Sequence, residues 1–429
     1  MSVKKIMGIA AVAAVFAIPA MAESLKVVTL GYRTGAYAPN GIPSQDGFVD
    51  AIKLVNERDG GANGVTIEAI ECETGYKTDK GVECYEALKK DSLVFIPRST
   101  GITYQLIPRA TADGTTIFSM GYGRTSAMDG KTFPWVFNFP TTYWHGASVA
   151  VNYLLGENGG SLKGKKITLL HHNSAYGKEP IRTLEKLSEK HGFELGIIPV
   201  DHPGQEQKSQ WLQIRRDRPD YVLMWGWGVM NQVAIKEASN VRFPLENFMG
   251  IWWSGSEQDV VPVGEGAHGY KALNFVKVGS DAPVFKDIKK YLVDTGKVTG
   301  DGTHIGSAIY NKTFFEAMLV VEAIKTAQKM HNTKMITKAQ FRDGMENLVV
   351  TEETLASWGM AGFAAPISVS CDNHTGQGYA FVQQWDAKKG AWNKVSDDIA
   401  PDMDVIEPLI RQDAAGYAKE NGITPKCMS

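Results

Sequence analysis

The sequence is short of several things, and each shortage removes a class of function. After the first two dozen residues no apolar run approaches the roughly 20 residues that cross a bilayer. Net charge is −2, with 45 basic and 47 acidic residues interspersed along 429, so there is no electrostatic footprint for nucleic acid or anionic lipid. Histidines number nine and cysteines four, with no CxxC. No metal ligand set is predicted and no cofactor is expected. There is no GxxxxGK[ST] phosphate loop, no Gly-rich dinucleotide fingerprint after the first strand, and no GxSxG elbow or Ser-His-Asp order. No pair of acids stands out for general acid–base work, so the residues predict no enzyme.

What is present begins with the N-terminus. Lys4 and Lys5 precede the apolar run IMGIAAVAAVFAIPA, and Ala20-Met21-Ala22 is a small-x-small site. That layout predicts a signal peptide over 1–22, cleaved after Ala22, and hence export to the periplasm. A retained membrane anchor is the rival reading. About 400 residues would remain, enough for two domains. In an oxidising compartment the four cysteines are expected to form structural disulfides. Proximity pairs Cys72 with Cys84 and Cys371 with Cys427, one of three possible connectivities.

The mature chain reads as strand and helix in alternation. LKVVTLGY is a strand, followed by a Gly/Pro-rich loop (RTGAYAPNGIPSQ) and the helix DGFVDAIKLVNERDGG. VTIEAIEC, SLVFIP and TTIFSM are further strands, separated by the helices KGVECYEALKK and TYQLIPRATADG. The rhythm restarts after PTTYWHGAS, with strands KKITLLHH, FELGIIPV, YVLMWGW and NFMGIWW between helices. YAFVQQWDAKKGAWNKVSD alternates about a Lys-Lys-Gly turn and is a β-hairpin. The prediction is an α/β fold of two doubly wound, Rossmann-like lobes. Lobe 1 takes 23–142 plus 274–354. Lobe 2 takes 143–273 plus 355–429, with the hairpin and tail. Three crossings near residues 140, 273 and 355 would form the hinge.

Ligands in such sheets sit outside the carboxyl ends of the strands. Five loops qualify: 32–41, 97–101, 120–125, 173–177, and the turns bearing Trp225 and Trp227, and Trp252 and Trp253. Ser99 and Thr100 stand where a helix should begin. Their hydroxyls and the free N–H groups make an anion site there, or simply an N-cap. Gly121 and Gly123 flank Tyr122 and would let backbone approach a ligand. Trp225 and Trp227 alternate on a strand and are expected to share a face. With Trp252, Trp253, Tyr176 and Trp144 they form either an aromatic ligand wall or core packing. Arg33, Arg98 and Arg124 lie in first-lobe loops and could supplement an anion site. His171 and His172 are adjacent on a strand, point to opposite faces and do not chelate one ion. His374 is expected to tie down the disulfide-bound tail.

Together, LKVVTLGYRTGAYAPNG, NERDGGANG, IPRSTG, LLHHNSAYG, YVLMWGW and NFMGIWW resemble the leucine/isoleucine/valine-binding family of type I periplasmic solute-binding proteins. The resemblance implies a monomeric receptor that closes on a small molecule and delivers it to the permease subunits of an ABC importer. It places the ligand carboxylate at Ser99 and Thr100, further contacts at Gly121, Tyr122 and Gly123, a stacking ring at Tyr176 and a second-lobe aromatic at Trp227. Amino-acid binders of the family carry a Glu for the ligand ammonium where this chain has Trp252, the nearest downstream acid being Glu257. That departure favours a carboxylate with an apolar or aromatic body. A branched-chain amino acid receptor of the same transporter class, or a sensor component binding a cation held among tryptophans, is the alternative.

Overall fold

The computed structural model describes residues 23–428, so the predicted signal peptide lies outside the described residues. The first sheet contains β1 (Leu25–Gly31), β2 (Ile67–Glu73), β3 (Ser92–Ile96), β4 (Thr116–Phe118) and β5 (Val136–Phe137). All pairings are parallel, in the order β2-β1-β3-β4-β5. Every residue of β3 is buried, as expected of a central strand covered by helices on both faces.

The second sheet repeats that order. It contains β6 (Lys166–His172), β7 (Glu194–Val200), β8 (Tyr221–Trp225), β9 (Phe248–Gly250) and β10 (Lys271–Asn274). Its parallel part runs β7-β6-β8-β9-β10. A short ladder pairs β11 (Val349–Val350) with β12 (Ile367–Ser368). The predicted hairpin is β13 (Phe381–Asp386) and β14 (Ala391–Lys394), with Trp385 opposite Trp392, and β13 joins the sheet antiparallel to β10. No described helix is long and apolar enough to cross a membrane.

The stretch predicted as a loop before residue 46 is helical: one helix spans Ala38–Asp59 and ends at Gly60 with φ 71°. Pro39 sits in its first turn, where the missing N–H costs nothing. Pro43 lies further in and removes one bond. The buried face of this helix compensates, packing against the long helix Ala308–Met330. A Cβ on Gly47 would lie 2.3 Å from the Tyr310 carbonyl oxygen, so glycine there is what lets the two helices approach so closely.

Both disulfides form as paired from proximity, Cys72–Cys84 and Cys371–Cys427. His374 stacks on Phe137 at 4.0 Å, and its Nδ1 meets the Val136 carbonyl at 2.8 Å. The C-terminal helix Met403–Glu420 touches both lobes. Its Ala414 and Tyr417 pack with Phe133 of the first lobe, and Arg124 donates to Asp413 at 2.6 Å. Gln412 accepts from Arg182 of the second lobe, and Lys190 from that lobe pairs with Asp402 at 2.5 Å.

Candidate functional site

In each sheet the strand order reverses once, between β1 and β3 and between β6 and β8. The crevice beyond a reversal is where open α/β sheets leave room for a ligand, because the connecting helices depart to opposite faces. The chain beyond β1 gives Tyr32, and beyond β3 gives Arg98, Ser99 and Thr100. The chain beyond β6 gives Tyr176, and beyond β8 gives Trp227. All six line one cavity, with Ser44, Tyr76, Tyr122, Tyr143 and Trp253.

The first-lobe wall is built around Arg98. Its φ of 56° turns the chain sharply into the helix Thr100–Asp113. Tyrosine hydroxyls hold both of its backbone polar groups: Tyr122 accepts from the Arg98 N–H at 2.8 Å, and Tyr32 donates to its carbonyl at 3.2 Å. The guanidinium meets buried Glu316, and its Nε donates to Thr29 at 3.2 Å and Gln45 at 3.3 Å. Burial pushes the Glu316 carboxyl up to about 7 against the pull of Arg98. Ser99 is the N-cap, its Oγ accepting from Ile102 at 3.5 Å, and Thr100 Oγ1 accepts from Gly123 at 3.3 Å.

The second-lobe wall is aromatic. Tyr176 donates to the Gly226 carbonyl at 2.9 Å, while the buried indole N–H of Trp227 has no hydrogen-bond partner among the described residues. Among the described residues the cavity is lined by five tyrosines and two tryptophans but no carboxylate. Burial raises the tyrosine pKa values, so the phenols stay neutral donors.

The structure brings Ser99, Thr100, Tyr122, Tyr176 and Trp227 together with Arg98 and Trp253, and puts the other candidates elsewhere. Gly121 and Gly123 stand just behind the lining. The Gly121 carbonyl accepts the indole N–H of Trp252 at 2.9 Å and of Trp253 at 3.2 Å, a bond pair across the lobes. Trp252 is fully buried and parallel to Tyr143, with ring centroids 6.1 Å apart, so Trp253 takes its place at the cavity. Trp225 does not line the cavity, whereas Trp227 does. β8 ends at Trp225, which is buried in the same core cluster that includes Trp227. Arg33 is outside the cavity, claimed by Asp46 at 2.7 Å and Glu71 at 2.9 Å.

Arg124 is likewise held by Asp413. Glu257 accepts from the Ala308 N–H at 2.9 Å and does not line the cavity. Among the described residues no cluster could hold a metal ion. Tyr32, Arg98 and Trp253 stand in loops the sequence marked out, whereas nothing in the sequence pointed to Ser44, Tyr76 or Tyr143.

A family model described as periplasmic binding protein matches residues 24–391. A comparison with curated protein sequences finds no match. Among solved structures, an ABC transporter permease from the Pseudomonas fluorescens group is 39% identical, with TM-score 0.87 over 95% of this chain and 99% of that one. A fatty acid ABC transporter substrate-binding protein from Thermomonospora curvata is 19% identical, with TM-score 0.73 over 89% and 93%. A branched-chain amino acid ABC transporter from Thermus thermophilus with bound valine is 20% identical, with TM-score 0.75 over 91% and 98%. The repeated sheet order and the cavity between two strand-order reversals agree with the family match: this chain belongs to the periplasmic binding proteins, the solute-binding components of ABC transporters.

Proposed function

We propose that this protein captures a small carboxylate with an aromatic or apolar body in the periplasm and presents it to the permease of an ABC importer. The signal peptide would be removed after Ala22. One observation carries the ligand class: the cavity offers hydroxyls, a helix N-terminus and an unpaired indole N–H, with no carboxylate among its lining residues. Donors of this kind suit an anion, each charge-assisted bond contributing about 1.5–3 kcal/mol. An ammonium brought into the same space would lose its water and gain no acid in exchange.

In this reading Ser99 and Thr100 receive the carboxylate. Tyr122, Tyr176, Trp227 and Trp253 enclose its body, and Tyr32, Tyr76 and Tyr143 complete the wall. The lobes (23–142 with 274–354, and 143–273 with 355–429) rotate about crossings near 140, 273 and 355, and ligand shifts the population toward the closed form. The fatty acid ABC transporter substrate-binding protein from Thermomonospora curvata is in keeping with a carboxylate.

A thermal-shift screen of aromatic acids, short fatty acids, α-amino acids and quaternary amines tests the proposal. A ligand at a hundred times its Kd adds about 2.7 kcal/mol of stability. Acids without an amino group are expected to raise the melting temperature. Stabilisation by α-amino acids or quaternary amines alone would overturn the ligand class.

A further inference from the structure

Beside the cavity, one polar contact ties the lobes together through titratable side chains. Tyr37, at the start of the first-lobe helix Ala38–Asp59, places its hydroxyl 2.9 Å from His172 Nε2 and 2.7 Å from His202 Nδ1. Both histidines belong to the second lobe: His172 ends β6, and His202 follows β7. The two imidazole centroids are 3.9 Å apart. Tyr37 and His172 are buried, while His202 is exposed to solvent. The ring of Tyr37 packs on Tyr76 of the cavity wall at 4.3 Å, so the contact and the binding space share a side chain.

We propose that Tyr37, His172 and His202 form a latch between the lobes that holds the closed form at neutral pH and releases it in acid. The three are positioning residues, and the proposal rests on reading the cavity as a site that closes on its ligand. A single hydroxyl can donate to one neutral imidazole and accept from the other. His172 Nδ1 meets Ser174 Oγ at 2.8 Å, which completes a neutral chain. With both rings protonated, two N–H donors converge on one oxygen and two cations stand side by side.

The surroundings offer little relief. His171 adjoins on β6, Lys178 adds positive charge, and Tyr76 and Tyr176 are neutral. Asp201, which accepts from Asn173 at 2.6 Å, is the acid beside His202. Burial, then the neighbouring histidines, lowers His172 to about 3, and burial lowers His202. Opening restores water to both. Closure is therefore fully supported above the ordinary histidine pKa of about 6.5 and weakens as pH falls through it. Buried Glu179, Glu257 and Asp259 are raised and work in the opposite direction, so the latch is read from the difference between variants.

The test compares the full-length mature protein with His202→Asn and with His172→Gln/His202→Gln at pH 7.5 and 5.5. The readouts are small-angle scattering of the free protein and calorimetry with benzoate, which stays ionised at both. Between those pH values the wild type is expected to lose at least about tenfold more benzoate affinity than the double variant and more than His202→Asn, and to expand more in scattering. His202→Asn, a surface change, keeps the test open if the double variant fails to fold. The same pH response in wild type and variants, by both readouts, overturns the latch. If benzoate fails to bind at pH 7.5, the carboxylate reading falls, and the scattering comparison alone decides the latch.

Discussion

Replacing Arg98 with Met removes the guanidinium and keeps the left-handed backbone and most of the stem. Glu316, with no exposed surface, then loses its cation, and Thr29 and Gln45 lose a donor. Breaking a buried pair on one side costs about 3–5 kcal/mol. Here the cost depends on pH in a definite direction. The Glu316 carboxyl, raised to about 7 in the folded protein, contributes its full stability below the unfolded value near 4.3 and loses it as pH rises through 7. Without Arg98 the carboxyl stays protonated to still higher pH, so each unit above 7 adds about 1.4 kcal/mol to the penalty. The variant is expected to cost about 1–2 kcal/mol at pH 5.5, from hydrogen bonds alone, and about 2 kcal/mol more at pH 8.5. Urea denaturation at the two pH values measures this, and Arg98→Met/Glu316→Leu should recover most of the loss at pH 8.5. An equal penalty at both pH values, or a double variant no better than the single, would refute the pairing argument.

Replacing Ser99 with Ala and Thr100 with Val should weaken a bound carboxylate by about 1.5–3 kcal/mol per lost bond in calorimetry, whereas unchanged affinity would return both residues to helix capping. Converting Trp252 and Trp253 to Phe removes two indole donors to Gly121 across the lobes and leaves space around buried Trp252, so affinity should fall roughly tenfold and stability to denaturant should fall with it. Opening Cys371–Cys427, which spans 56 residues, should cost about 4 kcal/mol on chain-entropy grounds. Cys72–Cys84, spanning 12, should cost about 3 by the same measure. Both are read by denaturation of Cys→Ser variants, and equal small losses would contradict the estimate.

The fold was legible because its signals are local and repeated: β-branched runs, helical spacing and turn residues recur in the same order in both halves. Ser99, Thr100, Tyr122, Tyr176 and Trp227 were legible because strand ends can be read from sequence, and ligands gather there. Trp225 and Trp252 were harder, since an end misplaced by one or two residues turns a wall into core; β9 stops at Gly250, and Trp252 then turns inward to Gly121. Tyr76 and Tyr143 depend on how two lobes meet, which no local pattern encodes. The Tyr37–His172–His202 contact is of the same kind. Alternation correctly set His171 and His172 on opposite faces, but the partners of His172 come from residues 37 and 202.

The central claim is that this cavity takes an acid and leaves an amine unpaired. Calorimetry with a matched pair, 3-phenylpropionate and phenylalanine, tests it directly, because the two differ only in the ammonium. The account predicts that 3-phenylpropionate binds at least about tenfold more tightly, from the lost solvation of an unpaired ammonium. Equal affinity, or preference for phenylalanine, would contradict it.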